Sequence, residues 1–203
     1  MPFAIVDVET TGLRPGWDRV VEIAIIHASG VAPWTVAFES LLKSERGAGP
    51  TEIHGINDDM LRDAPVVEDV AGPILESLRG RVVVAPNAAF DMRFMRAELA
   101  RLRVDFVSPF VCSMELVAAL NMATRLSLDE LRVRFGLPSI GAHSALADAQ
   151  AAAMLFVNAL VVAHQSGLRR FSDLQQISAH FVASLALSTV SSVRTTSGYA
   201  RRR

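Results

Sequence analysis

Phe3-Ala4-Ile5-Val6-Asp7-Val8-Glu9-Thr10-Thr11-Gly12 is an apolar run that closes on two carboxylates. The stretch reads as a buried strand over Phe3–Val8. A strand repeats every two residues, so Asp7 and Glu9 point to the same side. Two anions side by side on a buried strand repel, and burial strengthens the repulsion. A divalent cation between them would make the pair stable. The turn Gly12-Leu13-Arg14-Pro15-Gly16 ends the strand.

Working outward, Val20–His27 and Thr35–Leu42 read as two more strands, with short connections that predict an antiparallel start. Lys43–Pro50 reads as a loop. Asn57 is placed to cap a short helix through Met60, and a helix over Glu68–Leu78 is expected to be disturbed by Pro73. Arg81–Ala85 reads as a short strand. Phe90, Phe94, Met95, Leu99 and Leu102 then follow helical spacing. Phe106–Cys112 reads as a strand. Ser113–Asn121, Ser127–Phe135 and Ala145–His164 read as helices, the second stopped by Gly136 and Pro138. Strands first, then a strand–helix alternation, predict an α/β fold with a mixed sheet flanked by helices.

Of the 203 residues, 51% are hydrophobic and 20% charged, enough to build a sizeable core and too apolar for wholesale disorder. The net charge of −1 hides an asymmetry. Residues 1–165 hold fourteen basic and twenty acidic groups, whereas residues 166–203 hold six arginines and one acid. An acidic body is unusual for a nucleic-acid binder unless bound cations reverse the local field. Cys112 is the only cysteine, so no intrachain disulfide forms, which suits a reducing cytoplasm. The longest apolar stretch, Ala151–Ala163, is interrupted by Asn158 and is too short to span a bilayer, and no membrane association is expected. The expected organisation is one domain over residues 1–165. A helix over Ser172–Leu187 and a mobile, arginine-rich end would follow.

Two further segments carry chemistry. In Val82-Val83-Val84-Ala85-Pro86-Asn87-Ala88-Ala89-Phe90-Asp91, a carboxylate opens a helix straight after a buried strand. It gains from the helix dipole, and taken alone it reads first as a simple helix cap. In Gly141-Ala142-His143-Ser144-Ala145-Leu146-Ala147-Asp148, a loop histidine precedes an aspartate in the first turns of a helix. Either residue alone reads as ordinary surface. Together, four carboxylates suit hard divalent ions such as Mg²⁺ or Mn²⁺, and a histidine can take a proton near neutral pH. One cysteine and no histidine pair argue against a structural zinc site.

The ordered set Val6-Asp7-Val8-Glu9-Thr10-Thr11-Gly12-Leu13, Asn87-Ala88-Ala89-Phe90-Asp91 and His143 with Asp148 resembles the DEDDh group of 3′→5′ exonucleases. The proofreading subunit of the bacterial replicative DNA polymerase belongs to that group. Ile53-His54-Gly55-Ile56 and Leu126-Ser127-Leu128-Asp129-Glu130-Leu131 fit the same pattern, and the likeness covers residues 3–160. The resemblance implies a ribonuclease-H-like fold with two metal ions. Asp7, Glu9, Asp91 and Asp148 would be ligands and His143 the general base. It also implies that Thr10, Thr11, Gly12 and Leu13 line the pocket of the terminal nucleotide. Asn87, His54 and Phe90 are candidate contacts to the last nucleotides, although His54 could instead hold its own turn and Phe90 belong to the core. Two departures stand out: Pro86 replaces a common histidine, and Ser144 replaces a common arginine.

The activity so implied is hydrolysis of single-stranded DNA 3′ ends to nucleoside 5′-monophosphates. The alternatives are an RNA-directed exonuclease and a non-catalytic nucleic-acid or polymerase-binding module of the same fold. The C-terminal segment is a candidate contact for a DNA polymerase or another replication or repair partner.

Overall fold

The computed structural model describes residues 2–28, 34–123, 126–138, 143–174 and 176–177. Its centre is a five-stranded mixed sheet in the order β3-β2-β1-β4-β5. Strand β1 (Phe3–Thr10) pairs antiparallel with β2 (Val20–Ala28), and β2 with β3 (Thr35–Leu41). On the other side β1 pairs parallel with β4 (Val82–Ala85), and β4 with β5 (Phe110–Cys112).

The period of two sorts β1 between two cores. Ala4, Val6 and Val8 face a cluster with Ile74, Leu78, Met92, Phe94, Met95 and Leu99. These come from α3 (Val67–Leu78) and α4 (Ala88–Arg101). Ile5 faces the opposite cluster, with Ala24, Ile26, Val82 and Val84. That cluster is closed by α5 (Ser113–Ala119), α6 (Leu128–Phe135) and α7 (Ala145–Gln165). Asp7 and Glu9 share the parity of Ile5, so they point toward α7 rather than α4. The alanines at 149, 152, 153 and 159 are fully buried and let α7 approach the sheet closely. By length and apolarity alone α7 could cross a membrane. Here its alanine face forms core.

Local signals place most boundaries. Ser127 and Glu130 form a reciprocal capping box at the start of α6, and Gly136 ends it in the left-handed conformation. Asn57 caps α2 (Asp58–Leu61) by accepting the Met60 N–H. A single turn, α1 (Thr51–His54), follows the expected loop and was not anticipated.

Three expectations are corrected. Pro73 does not break α3, which continues through it. Phe106–Cys112 is a strand only over its last three residues. Helix α4 is capped by position 87, so Asp91 is not a cap but lies one turn inside. Leu174 is buried against the α7 side of the core, while most of the expected Ser172–Leu187 helix lies outside the described residues.

Candidate active site

β1 delivers Asp7 and Glu9 to the C-terminal end of the sheet. A register shift between Glu9 and Thr10, just before the last pair Thr10–Val20, is the kind of irregularity that re-aims side chains. Helix α7 brings Asp148 in from above. One carboxylate oxygen each from Asp7, Glu9 and Asp148 lie within 4.8 Å of one another. Asp91, 3% exposed at the start of α4, enters from the β4 side. The backbone N–H groups of Asp91 and Val8 favour the charged form of its carboxyl.

The electrostatics are those of crowded anions. Burial first, then the charges of Asp91, Asp148, Glu9 and Glu22, hold the Asp7 carboxyl well above the usual carboxylate range. Glu9 is pushed up to about 8 by burial, then by Asp148, Glu22 and Asp91. Asp91 rises to about 7, chiefly through burial, partly offset by its two backbone hydrogen bonds. An all-oxygen donor set in which burial and like charge oppose the ionisation of Asp7, Glu9 and Asp91 is the chemistry a hard dication satisfies. The residues fit Mg²⁺ or Mn²⁺.

Two residues of this centre escaped the sequence reading. Glu22 stands opposite Glu9 across the β1–β2 ladder, on the α7 face. Its Oε2 accepts the Ala145 N–H at 2.7 Å, fastening the start of α7 to the sheet. Burial raises its carboxyl, and the Ala145 hydrogen bond opposes the rise. A lone acid within Val20–His27 was the available signal, but only the strand register shows where it points. Arg132, 1% exposed, is the second. Its Nη2 donates to Asp148 Oδ1 at 2.6 Å and to the Ala147 carbonyl at 3.0 Å, and its Nη1 donates to Asp129 Oδ1 at 3.2 Å.

His143 sits beside this network with φ of +66°, a left-handed conformation that is uncommon for a side chain other than glycine. Its backbone N–H donates to Asp148 Oδ1 at 3.1 Å, and its Nε2 lies 3.5 Å from Asp129 Oδ2. With its side chain 46% exposed, the imidazole is open to solvent. Ser144 accepts the Ala147 N–H as the cap of α7, which accounts for a short hydroxyl at this position.

The expected pocket residues divide. Thr10 donates to the Gly12 carbonyl at 2.7 Å, and Thr11 accepts the Arg19 N–H at 3.0 Å. Gly12 has no room for a side chain, since a Cβ would meet Asp18 Oδ2 at 2.6 Å. Gly49 packs on Thr11 so tightly that a Cβ would stand 2.5 Å from its Cα. Leu13 is left largely exposed. Asn87 is exposed and its side chain makes no cap bond. Phe90 packs on Phe94, ring centroids 4.7 Å apart. His54 is buried and its Nδ1 accepts the Ile56 N–H at 3.1 Å, so it holds its own turn.

A model of the RNase_T exonuclease family matches residues 4–156. The chain belongs to this exonuclease family. Among curated relatives, it is 33% identical over 184 residues to the DNA polymerase III subunit epsilon of Rickettsia prowazekii, covering 85% of this chain and 80% of that one. It is 29% identical over 178 residues to the PolC-type DNA polymerase III of Thermotoga maritima, covering 86% of this chain and only 13% of that protein. The chain thus spans about an eighth of that polymerase. Among solved structures, exonuclease X in complex with 5′ overhanging duplex DNA aligns with a TM-score of 0.66 at 25% identity. It covers 87% of this chain and 99% of that one. The fold is the ribonuclease-H-like one of these exonucleases, and the domain is a 3′→5′ exonuclease domain.

Proposed function

We propose that this domain removes nucleotides from single-stranded DNA 3′ ends by hydrolysis, releasing nucleoside 5′-monophosphates. The convergence of the Asp7, Glu9 and Asp148 oxygens within 4.8 Å carries the reading. Asp7, Glu9, Asp91 and Asp148 would hold two Mg²⁺ or Mn²⁺ ions. When bound, the ions supply the positive charge that activates water and offsets the charge on the departing 3′ oxygen. His143 takes the proton from the attacking water, and Asp129 beside its Nε2 stabilises the imidazolium that results. Arg132 and Glu22 keep Asp148 and the start of α7 in place. The main chain of Thr10–Leu13 bounds the terminal nucleotide, so sequence preference is expected to be slight.

The epsilon relative supports DNA as the substrate and a DNA polymerase as partner. Degradation of end-labelled single-stranded DNA, double-stranded DNA and RNA, each with Mg²⁺, Mn²⁺ or EDTA, tests the proposal. Mononucleotide release from the DNA strand, stopped by EDTA, is expected. Cleavage that ignores EDTA sinks the metal assignment, and a strong preference for RNA sinks the substrate. His143→Ala is expected to lower kcat by about 10²- to 10⁴-fold, the usual worth of a general base. The same variant is expected to keep the rise in Tm that Mn²⁺ gives the wild type. Loss of that rise would make His143 a metal-site residue instead.

A further inference from the structure

The turn that follows β1 carries an indole which the fold does not use. Main-chain bonds from Trp17 and Asp18 to the Arg14 carbonyl close the turn, at 3.1 and 2.8 Å. Asp18 Oδ2 accepts the Arg14 N–H at 2.8 Å, and Arg101 from α4 donates to the Gly16 carbonyl at 2.8 Å. Gly16 takes φ of +86°. Nothing in this scaffold requires the Trp17 side chain, yet it stands 55% exposed at the tip. Two cations converge on it. The Arg46 guanidinium carbon lies 4.3 Å from the ring centroid and that of Arg14 lies 5.7 Å away. Arg46 arrives from the separate loop after β3, which Gly49 presses onto Thr11.

The neighbouring acids are largely occupied. Asp18 is buried, holds the Arg14 N–H, and comes within 3.9 Å of Arg46. Glu45 is exposed, 3.9 Å from the buried Arg19, whose main partner is Glu98. In a body with an excess of acids, this is a cation–aromatic platform on the turn that follows β1, braced by the C-terminal end of α4.

We infer that Arg14, Trp17 and Arg46 form a binding platform for single-stranded nucleic acid, holding nucleotides on the 5′ side of the scissile bond. The inference rests on the proposed exonuclease reading and adds a subsite to it. A planar face flanked by guanidinium groups suits a base stacked beside its own phosphates, and every base offers such a face. The charge complements a phosphodiester chain, and the platform is continuous with the Thr10–Leu13 segment that leads back to Glu9. It lies several residues along the chain from the carboxylates, so a strand too short to reach it gains nothing from it.

The test uses the full chain in EDTA, where hydrolysis stops, with fluorescent dT10 and dT3 as probes. Trp17→Ala is expected to weaken dT10 binding about tenfold, within the range of one lost base stack. The advantage of dT10 over dT3 is expected to collapse with it. Arg46→Ala is expected to reduce the salt dependence by about 0.7 in slope, one phosphate contact. In a Trp34→Phe background, dT10 is expected to quench Trp17 fluorescence. Trp17→Ala that stays folded by circular dichroism and binds dT10 as tightly as wild type overturns the platform. If wild type still hydrolyses the strand in Mg²⁺, the exonuclease reading survives that result. If wild type neither binds nor hydrolyses dT10, both fall.

Discussion

Asp7→Asn is expected to cut exonuclease activity by at least about 10²- to 10³-fold, while making the metal-free protein more stable above pH 8. The first effect follows from removing a charged oxygen where the reaction's charge must be held, at the usual worth of one such preorganised group. The second follows from linkage. The Asp7, Glu9 and Asp91 carboxyls are all raised in the folded chain, Glu9 to about 8 and Asp91 to about 7. Between their unfolded values near 4 and these folded values, the folded state binds more protons than the unfolded state. The stability that these three carboxyls contribute to the metal-free protein is therefore fully present only below about pH 4. It falls as pH rises through the folded values of Asp91, about 7, and Glu9, about 8.

Removing one charge from the cluster relieves the repulsion by about 1–3 kcal/mol at pH 8, several degrees in Tm for a chain of this size. At pH 5, where the fold already holds the carboxyls protonated, the gain is smaller, and it vanishes only below about pH 4. Mn²⁺ should reverse the ranking at pH 8, since it stabilises wild type more than the variant. Thermal melts of both proteins at pH 5 and pH 8, with EDTA or Mn²⁺, together with a labelled-strand assay, check every part. A variant less stable than wild type in EDTA at pH 8 contradicts the crowded-anion account. Full activity would remove Asp7 from the metal site.

That cluster shows why some of the molecule could be read from its sequence and some could not. Asp7 and Glu9 share a strand, and the period of two puts them on one face whatever the strand packs against. The start of α6 was legible because Ser127 and Glu130 satisfy each other within one turn. Long-range facts were opaque. Phe106–Cys112 looks like a strand by composition, but its parallel partner β4 is only four residues long, and just three residues find a match. Val107 is left largely exposed. Pro73 looked disruptive, yet α3 accommodates a missing N–H, and the Ser77 hydroxyl donates to the Pro73 carbonyl one turn on. Glu22 needed the β1–β2 register before its direction meant anything. Arg132 gave no signal at all, because an arginine on an amphipathic helix normally faces water.

Arg132→Met tests the least legible of these residues and carries the largest expected effect on stability. Among the described residues the guanidinium is the one cation bonded to a carboxylate of the cluster, and it is almost wholly buried. Its removal leaves Asp148 facing Asp7 and Glu9 with no counter-charge and leaves the Ala147 carbonyl without that donor. Breaking a buried pair from one side costs about 3–5 kcal/mol, enough to lower Tm by roughly 10 °C. The loss should be greatest at alkaline pH in EDTA and partly recovered by Mn²⁺, which restores positive charge to the same oxygens. Arg132→Lys should fall between, because an ammonium keeps the charge but cannot reach Asp148, Asp129 and Ala147 at once. Melting curves of the three proteins with and without Mn²⁺ decide the matter. If Arg132→Met melts with wild type in EDTA, Asp148 needs no resident cation. If it melts lower and Mn²⁺ recovers nothing, the arginine serves packing rather than the charge balance of the site.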